Sequence, residues 1–245
     1  MTILCHIWTT DSEKWTEHFE TINNDYMGEL ARGLKNVIQG VELLEGVRDR
    51  IRAKLHEASP IQFPYGQIGT SITTLAEWMM EPDENMSFRQ LRCTECNHEE
   101  SPTEGSLKYY MTCESNTLSN SSWLKHNKHG KNTQHKCPDC GYNMKRYEEY
   151  NKWPKLLVFD LHGPASKKIS LVRQEKKKTY KLRGLVYLGG FHFNARVINE
   201  HGNIWYHDGI STGNLCEPEG ELKNMSEKEL MTCKYKNIAL ALYAK

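Results

Sequence analysis

Residues 189–209 read GGFHFNARVINEHGNIWYHDG, and this stretch decides the architecture. Its first half alternates polar and apolar side chains as a β-strand does, residues 199–203 are rich in turn formers, and the remainder forms a returning strand. A hairpin centred near residue 200 pairs residues whose numbers sum to about 400. This register sets His192 opposite Asp208, with about 5 Å between their Cβ atoms.

The facing His192 and Asp208 side chains are suited to acid–base chemistry. A carboxylate that accepts a hydrogen bond from one imidazole nitrogen fixes the tautomer and leaves the other nitrogen as a base. His192 is therefore a candidate general base and Asp208 its orienting partner. An ordinary surface His–Asp pair is the competing interpretation, and the hairpin alone does not exclude it.

Upstream of the hairpin, four cysteines form two Cys-x-x-Cys pairs, Cys93/Cys96 and Cys137/Cys140. Four thiolates at this spacing match the tetrahedral preference of zinc, and four protein ligands leave no open position for catalysis. We therefore predict a structural zinc ion that staples a loop-rich segment. Three nearby side chains are alternative ligands, namely His98, Cys113 and His135.

Composition limits the classes of function. The 245 residues are 38% hydrophobic with a formal charge of +1, which favours a folded domain and argues against a broad basic face for nucleic acid. No apolar run is long enough to span a bilayer, and the N-terminus does not resemble a secretory signal. We expect an intracellular protein, cytoplasmic or nuclear, whose cysteines are thiols or metal ligands.

Hydrophobic periodicity divides a single domain at residues 1–245 into three parts. Residues 1–87 are mainly helical, residues 88–150 lose apolar periodicity and need the metal, and residues 151–245 alternate as strands. Within the first part, an apolar stripe predicts core-facing helices between residues 11 and 58. The stripe comprises Tyr26, Leu30, Leu34, Val37, Ile38, Val41, Leu44, Val47, Ile51 and Leu55.

The order of these pieces resembles the ubiquitin-specific proteases. The likeness rests on the two cysteine pairs, a Trp153-Pro154-Lys155-Leu156 strand start, the Gly-Gly-x-His-Phe-x-Ala-x-Val strand, the Trp-Tyr-x-Asp strand and an apolar strand at 238–243. It covers residues 88–245 and is weaker before them. It implies an α+β, papain-like cysteine-peptidase fold with a helical thumb-like part, zinc-ribbon fingers and a C-terminal antiparallel sheet.

The resemblance also implies roles for the motif residues. His192 would be the general base, Asp208 its partner, and the four paired cysteines ligands of a structural zinc. The activity would be thiol-dependent hydrolysis of the isopeptide bond after the C-terminal diglycine of ubiquitin or a ubiquitin-like protein. Two departures stand out: Phe191 separates His192 from the preceding glycine, and Phe193 replaces the usual tyrosine.

The nucleophile is the weakest part of the resemblance. The family carries a Gly-x-Asn-x-Cys-Tyr-x-Asn-Ser box near the start of the domain, and only Cys5 lies in this region. Its neighbours include neither the asparagine before the cysteine nor the Asn-Ser after it. Cys5 is the candidate nucleophile, and an ordinary buried thiol is the alternative. Residues 2–19 can instead match the helix that follows the box.

Three functions remain open from the sequence. The first is a deubiquitinating thiol protease, and the second is a catalytically silent module that binds a ubiquitin-like protein. The third is a zinc-ribbon protein that binds nucleic acid through a basic loop at 125–136, with Trp123 stacking on a base. Nucleic-acid binding is disfavoured because the total charge is nearly neutral and because a solvated loop is the simpler interpretation of residues 125–136.

Overall fold

The computed structural model describes residues 1–66, 69–128, 130–173 and 176–245, without the side chains of Asn127 and Lys128. In these ranges no helix combines the length and the apolar character that crossing a membrane requires. The described chain is a mixture of helices and mainly antiparallel sheets, which confirms the α+β class.

The first part of the chain is helical, as expected. Its elements are α1 (Thr2–Thr9), α2 (Ser12–Ile22), a π-helical turn (Asn24–Gly28), α3 (Glu29–Ile38), α4 (Leu44–Ala58) and α5 (Ile72–Met79). Asp11 begins α2 by accepting a hydrogen bond from the backbone N–H of Lys14, and Ser71 caps α5 in the same way.

The apolar stripe is only partly a core face. Leu30 and Val47 are fully buried, but the prediction was wrong for three members of the stripe, Ile38, Val41 and Leu44, which are exposed. The reason is local: α3 ends at Ile38, and Gly40 has a left-handed backbone (φ 72°) that turns the chain before α4 begins.

The next elements are β1 (Ser87–Arg92), β2 (Thr103–Glu104), β3 (Tyr110–Cys113), α6 (Asn120–Lys128), β4 (Lys131–Lys136) and β5 (Asn143–Tyr150). Four of these strands form a small antiparallel sheet in the order β2-β1-β5-β4. The basic loop expected at 125–136 is instead the end of α6 and strand β4, while His129 lies outside the described residues.

The remaining elements are β6 (Leu156–Leu161), β7 (Lys168–Arg173), β8 (Lys176–Gly189), β9 (His192–Ile198), β10 (Asn203–His207), β11 (Glu217–Glu221), a 3-10 turn (Leu222–Asn224), α7 (Glu227–Leu230), β12 (Thr232–Cys233) and β13 (Lys236–Ala244). They form a nine-stranded sheet along β11-β10-β9-β8-β13-β6-β3, with β7 beside β8 and β12 beside β13. Strand β3 pairs parallel to β6, so it lies in the larger sheet although residues 88–150 were grouped together. The three-part division of the domain stays a prediction.

The large sheet has an apolar core on each face. On β6, Leu156 and Val158 belong to the core formed with the helices, whereas Leu157 and Phe159 face the opposite core. Helix α1 packs on β8 and β9. A Cβ atom at Gly184 would lie 2.5 Å from the Ile3 side chain, so glycine is needed there for this helix to approach the sheet.

Candidate active site and metal centre

A tight turn between β8 and β9 presents His192 at one end of the large sheet. Gly189 pairs with His192, and the two residues between them, Gly190 and Phe191, both have positive φ angles of 59° and 58°. Consecutive left-handed residues are typical of a two-residue type I′ hairpin. The inserted Phe191 is therefore half of the turn, and its side chain is fully exposed.

The hairpin between β9 and β10 differs from the expected register by two residues. Ala195 pairs with His207, so partner numbers sum to 402, and the expectation of His192 directly opposite Asp208 was wrong. The cause is the turn, where the Asn199 side chain accepts from two backbone N–H groups and moves the centre to residue 201.

His192 and Asp208 nevertheless meet on one face of the sheet. The register directs Asp208, which follows β10, toward Asn194, and His192 is the diagonal neighbour on the same face. The Nε2 atom of His192 lies 2.7 Å from Oδ1 of Asp208. The imidazole is partly exposed while the carboxylate is nearly buried, so one side of the ring faces solvent.

Asp208 is held ionised by its surroundings. Its Oδ1 also accepts from the backbone N–H of Ile210 at 2.9 Å, and its Oδ2 accepts from the hydroxyl of Tyr206 at 3.1 Å. Burial would raise the pKa of Asp208, but the hydrogen bonds from His192, Ile210 and Tyr206 outweigh it and hold the pKa far below its ordinary value.

The protonation pattern of the pair follows from this carboxylate. An ionised carboxylate only accepts hydrogen bonds, so Nε2 of His192 donates and carries the proton. In the neutral imidazole the second nitrogen, Nδ1, is then unprotonated, and within the described part of the chain it makes no hydrogen bond. This arrangement can accept a proton from an acidic group placed beside Nδ1.

Cys5 lies elsewhere. It is the fourth residue of α1, and it packs against the helix-side core, as Ala195 also does. Ala195 and His192 point to opposite faces of β9 because their numbers differ in parity. Burial raises the pKa of the Cys5 thiol, the opposite of what an activated nucleophile requires. The structure does not bring Cys5 to His192, and its role stays a prediction.

The four paired cysteines do come together, at the tip of the small sheet. Each pair forms a knuckle that is closed by a backbone hydrogen bond of 2.8 Å, from Cys93 to His98 in one and from Cys137 to Tyr142 in the other. The residue after the second cysteine is left-handed in both, Asn97 at φ 60° and Gly141 at φ 75°. The two knuckles therefore share one backbone shape.

The sulfur positions fit one metal ion. The cysteine Sγ atoms all lie within 4.8 Å of one another. Sulfurs about 2.3 Å from a tetrahedral ion are about 3.8 Å apart, which falls within this limit. Backbone N–H groups of Cys96 and Glu95 point at the Cys93 sulfur and lower the pKa of its thiol to about 7. The predicted four-cysteine cluster can hold a metal.

The alternative ligands have other partners. His98 is 2.7 Å from Asp139, which joins the two knuckles, and His135 is 2.7 Å from Glu100. Cys113 is buried on β3 in the core of the large sheet. None of these three side chains belongs to the four-cysteine group found among the described residues.

Sequence reasoning missed two polar residues of the His–Asp site. Tyr206 and Asn194 are buried, and the amide of Asn194 lies 3.4 Å from the Tyr206 hydroxyl. Strand alternation could have found both, since Asn194 is two residues from His192 and Tyr206 is two residues from Asp208. Alternation alone does not predict that these two side chains are buried and hydrogen-bonded to other polar groups.

Comparison with known proteins gives a fold. No protein-family model and no curated protein matches the chain. Among solved structures, the SAGA Ubp8/Sgf11/Sus1/Sgf73 deubiquitinase module bound to ubiquitin aldehyde matches with a TM-score of 0.58 and 11% identity, covering 99% of this chain and 65% of that one. The same module bound to monoubiquitin matches with a TM-score of 0.53, 11% identity and the same coverage.

A yeast SAGA deubiquitinase module with a variant Sgf73 matches similarly, with a TM-score of 0.52 and 11% identity over 99% of this chain and 64% of that one. The chain thus spans about two thirds of the length of these neighbours. At this identity the match establishes a deubiquitinase-like fold and leaves the chemistry to the residues of the site. The resemblance to ubiquitin-specific proteases is confirmed at the level of the fold.

Proposed function

We propose that this chain is a cysteine-type deubiquitinase domain, which hydrolyses the isopeptide bond after the C-terminal diglycine of ubiquitin or a ubiquitin-like protein. The observation that carries the proposal is the 2.7 Å hydrogen bond between His192 and Asp208, in which the partly exposed imidazole is oriented by a buried, ionised carboxylate. The solved neighbours, two of which are bound to ubiquitin or its aldehyde, support this choice of partner.

The chemistry follows from the protonation pattern. Nδ1 of His192 takes the proton of a thiol, and the thiolate attacks the carbonyl carbon of the scissile bond. Asp208 keeps the proton on Nε2 and stabilises the imidazolium that forms. His192 then protonates the leaving amine, and water hydrolyses the thioester. Cys5 is the thiol that the sequence offers, and it must leave the helix-side core to serve.

The four-cysteine cluster would hold a structural zinc. Two knuckles with thiolate ligands suit zinc, and a closed set of four ligands gives the ion no catalytic position. Among the described residues, the apolar group packed with the cysteines is small and includes Met144, so a bound metal would take the place of a hydrophobic core in the small sheet. A rigid small sheet can then serve as the fingers that support a ubiquitin-like protein.

The position of Cys5 favours a second candidate, a catalytically silent domain that binds a ubiquitin-like protein. The half-buried Cys5 thiol has a raised pKa, and it packs with Ala195 on the face of the sheet opposite to His192. Binding uses a much wider surface than the reacting atoms and can survive without a nucleophile. Either function fits an intracellular protein, cytoplasmic or nuclear, because both need reduced cysteines for the metal.

Covalent labelling distinguishes the two candidates. Folded, zinc-loaded protein is incubated with ubiquitin that carries a C-terminal thiol-reactive electrophile, and adducts are located by intact mass and peptide mapping. An adduct on Cys5 that is lost in both Cys5→Ser and His192→Ala supports the hydrolase. If no adduct forms, ubiquitin binding is measured by titration. Saturable binding supports the silent module, and no binding removes both candidates.

A further inference from the structure

A tyrosine lies directly behind the catalytic carboxylate. Tyr206 is buried on β10, and its hydroxyl is 3.1 Å from Oδ2 of Asp208, the oxygen that His192 does not use. On the far side of the hydroxyl is Nδ2 of Asn194, at 3.4 Å. Three buried polar side chains therefore continue inward from the imidazole along one face of the sheet.

The direction of this chain of hydrogen bonds is fixed by its acceptor. An ionised carboxylate has no proton to give, so the Tyr206 hydroxyl must donate to Oδ2 of Asp208. The lone pairs of that hydroxyl then face Asn194, whose amide nitrogen donates to them. The amide to hydroxyl contact is long and therefore weaker than the hydroxyl to carboxylate contact.

We propose that Tyr206 is a positioning residue that sets the orientation of His192 through Asp208. Rotation of a carboxylate about its Cβ–Cγ bond is more tightly restricted when both oxygens accept hydrogen bonds than when one does. Oδ1 is shared by His192 and the backbone N–H of Ile210, while Oδ2 depends on Tyr206 among the described side chains. The tyrosine hydroxyl therefore keeps Oδ1 aimed at Nε2.

The Tyr206 ring is itself fixed from outside the hairpin. The ammonium group of Lys234, in the turn between β12 and β13, lies 4.5 Å from the ring centroid. Lys234 thus holds the tyrosine ring from outside the hairpin, while Asn194, on the paired strand β9, contacts the hydroxyl. The inference rests on the proposed function, because it treats the imidazole of His192 as the base.

NMR of the imidazole tests the proposal without requiring catalysis. In ¹⁵N-labelled protein, the exchange rate of the His192 Nε2–H proton with water reports how well Asp208 holds it. Tyr206→Phe removes only the hydroxyl, and we expect exchange to become about tenfold faster, which corresponds to about 1.4 kcal/mol of lost hydrogen bonding. Exchange in Tyr206→Phe equal to that of the unmodified protein overturns the proposal.

Tyr180→Phe is the matched control. It removes another buried tyrosine hydroxyl, which donates to the Pro154 carbonyl at 2.8 Å, far along β8 from His192. Exchange must stay unchanged in this variant, and acceleration in both variants would mean a general loosening and would overturn the proposal. Should Tyr206→Phe not fold, Asn194→Ala tests the same chain: a smaller acceleration supports the proposal, and none overturns it.

The result is separable from the fate of the proposed function. Faster exchange in Tyr206→Phe, in a protein that neither reacts with nor binds ubiquitin, keeps the positioning role and removes the hydrolase. Where the unmodified protein does hydrolyse a ubiquitin C-terminal amide, Tyr206→Phe should lower kcat by about tenfold and leave KM unchanged, because the tyrosine does not touch the substrate.

Discussion

The sulfur atoms of Cys93 and Cys140 lie 3.4 Å apart, although 47 positions separate them in the sequence. The sulfurs of Cys96 and Cys137 are similarly close, at 3.5 Å. Each of these contacts crosses from one knuckle to the other. The tip of the small sheet is therefore joined through its sulfurs, and one ion bound to all four would connect β1 to the β4–β5 hairpin.

Replacing one ligand should release the metal. We expect about one zinc per chain in the purified protein and loss of most of it in Cys137→Ser, with faster amide exchange across β1, β4 and β5. Cys216→Ser is the control, because Cys216 is an exposed thiol outside the cluster. Metal analysis by mass spectrometry and hydrogen exchange measure the two effects. A metal-free native protein would contradict the assignment.

Asp208 should tolerate asparagine better than alanine. In the proposed hydrolase, Asp208→Ala leaves Nε2 of His192 without an acceptor, and we expect kcat/KM to fall by about 10²–10⁴. Asp208→Asn can still present an amide oxygen to Nε2, so its loss should be about tenfold smaller. Hydrolysis of a fluorogenic ubiquitin C-terminal amide gives both values. Equal losses would argue against an orienting role.

Asp208 should also give the fold an acid-sensitive component. Because its pKa is depressed in the folded state, the ionised group stabilises the fold above its unfolded pKa of about 4. This stabilisation is lost as the pH falls below about 4 toward the lower folded value. Urea unfolding of the native protein and Asp208→Asn should therefore show a stability difference that shrinks from pH 5 to pH 3. A constant difference would contradict the shift.

Arg196, on β9, forms a buried ion pair with Glu219 on β11. It forms two hydrogen bonds with Glu219, at 2.6 and 2.7 Å, and its side chain is 8% exposed. Glu219→Ala leaves this buried charge without its carboxylate partner, so we expect a loss of about 3 kcal/mol in unfolding free energy. Glu221, on the same strand, forms an exposed ion pair with Lys223, so Glu221→Gln should lower the unfolding free energy by less than about 1 kcal/mol.

A substitution in the β8–β9 turn should raise the stability of the fold. Phe191 adopts a left-handed backbone, which costs a non-glycine residue about 1–2 kcal/mol, and asparagine tolerates it better. We expect Phe191→Asn to raise the unfolding free energy by about 0.5 kcal/mol, whereas Phe191→Ala, which keeps the strain, should not. Denaturant unfolding separates the two variants. A gain in Phe191→Ala would attribute the effect to the exposed ring instead.

The alternation of polar and apolar side chains was enough to predict several strands of the large sheet. The predicted hairpin around residue 200 is present as β9 and β10, and the predicted strand at 238–243 lies within β13. Side chains alternate between apolar and polar where a strand buries one of its two faces, which is why such strands can be predicted from the sequence. The cysteine pairs could also be recognised from the sequence, because the two cysteines of each metal-binding pair are only three positions apart.

Other features depended on contacts that local patterns do not contain. The register of the β9–β10 hairpin is set by the Asn199 side chain. The composition of the turn does not show which backbone N–H groups this side chain accepts from. Ile38 and Val41 continue a helical period, yet they lie beyond the last packed turn of α3. Whether Cys5 can reach His192 depends on how α1 packs across the sheet, which the sequence near Cys5 does not encode.

The position of β13 has a consequence for how the protein is made. This strand lies between β8 and β6, so without it the large sheet consists of two unconnected pieces. During synthesis both pieces emerge from the ribosome before residue 236 does, each with an unpaired edge that attracts other chains. The two pieces therefore join into one sheet only after β13 has been made, and until then their edges stay unpaired on the nascent chain.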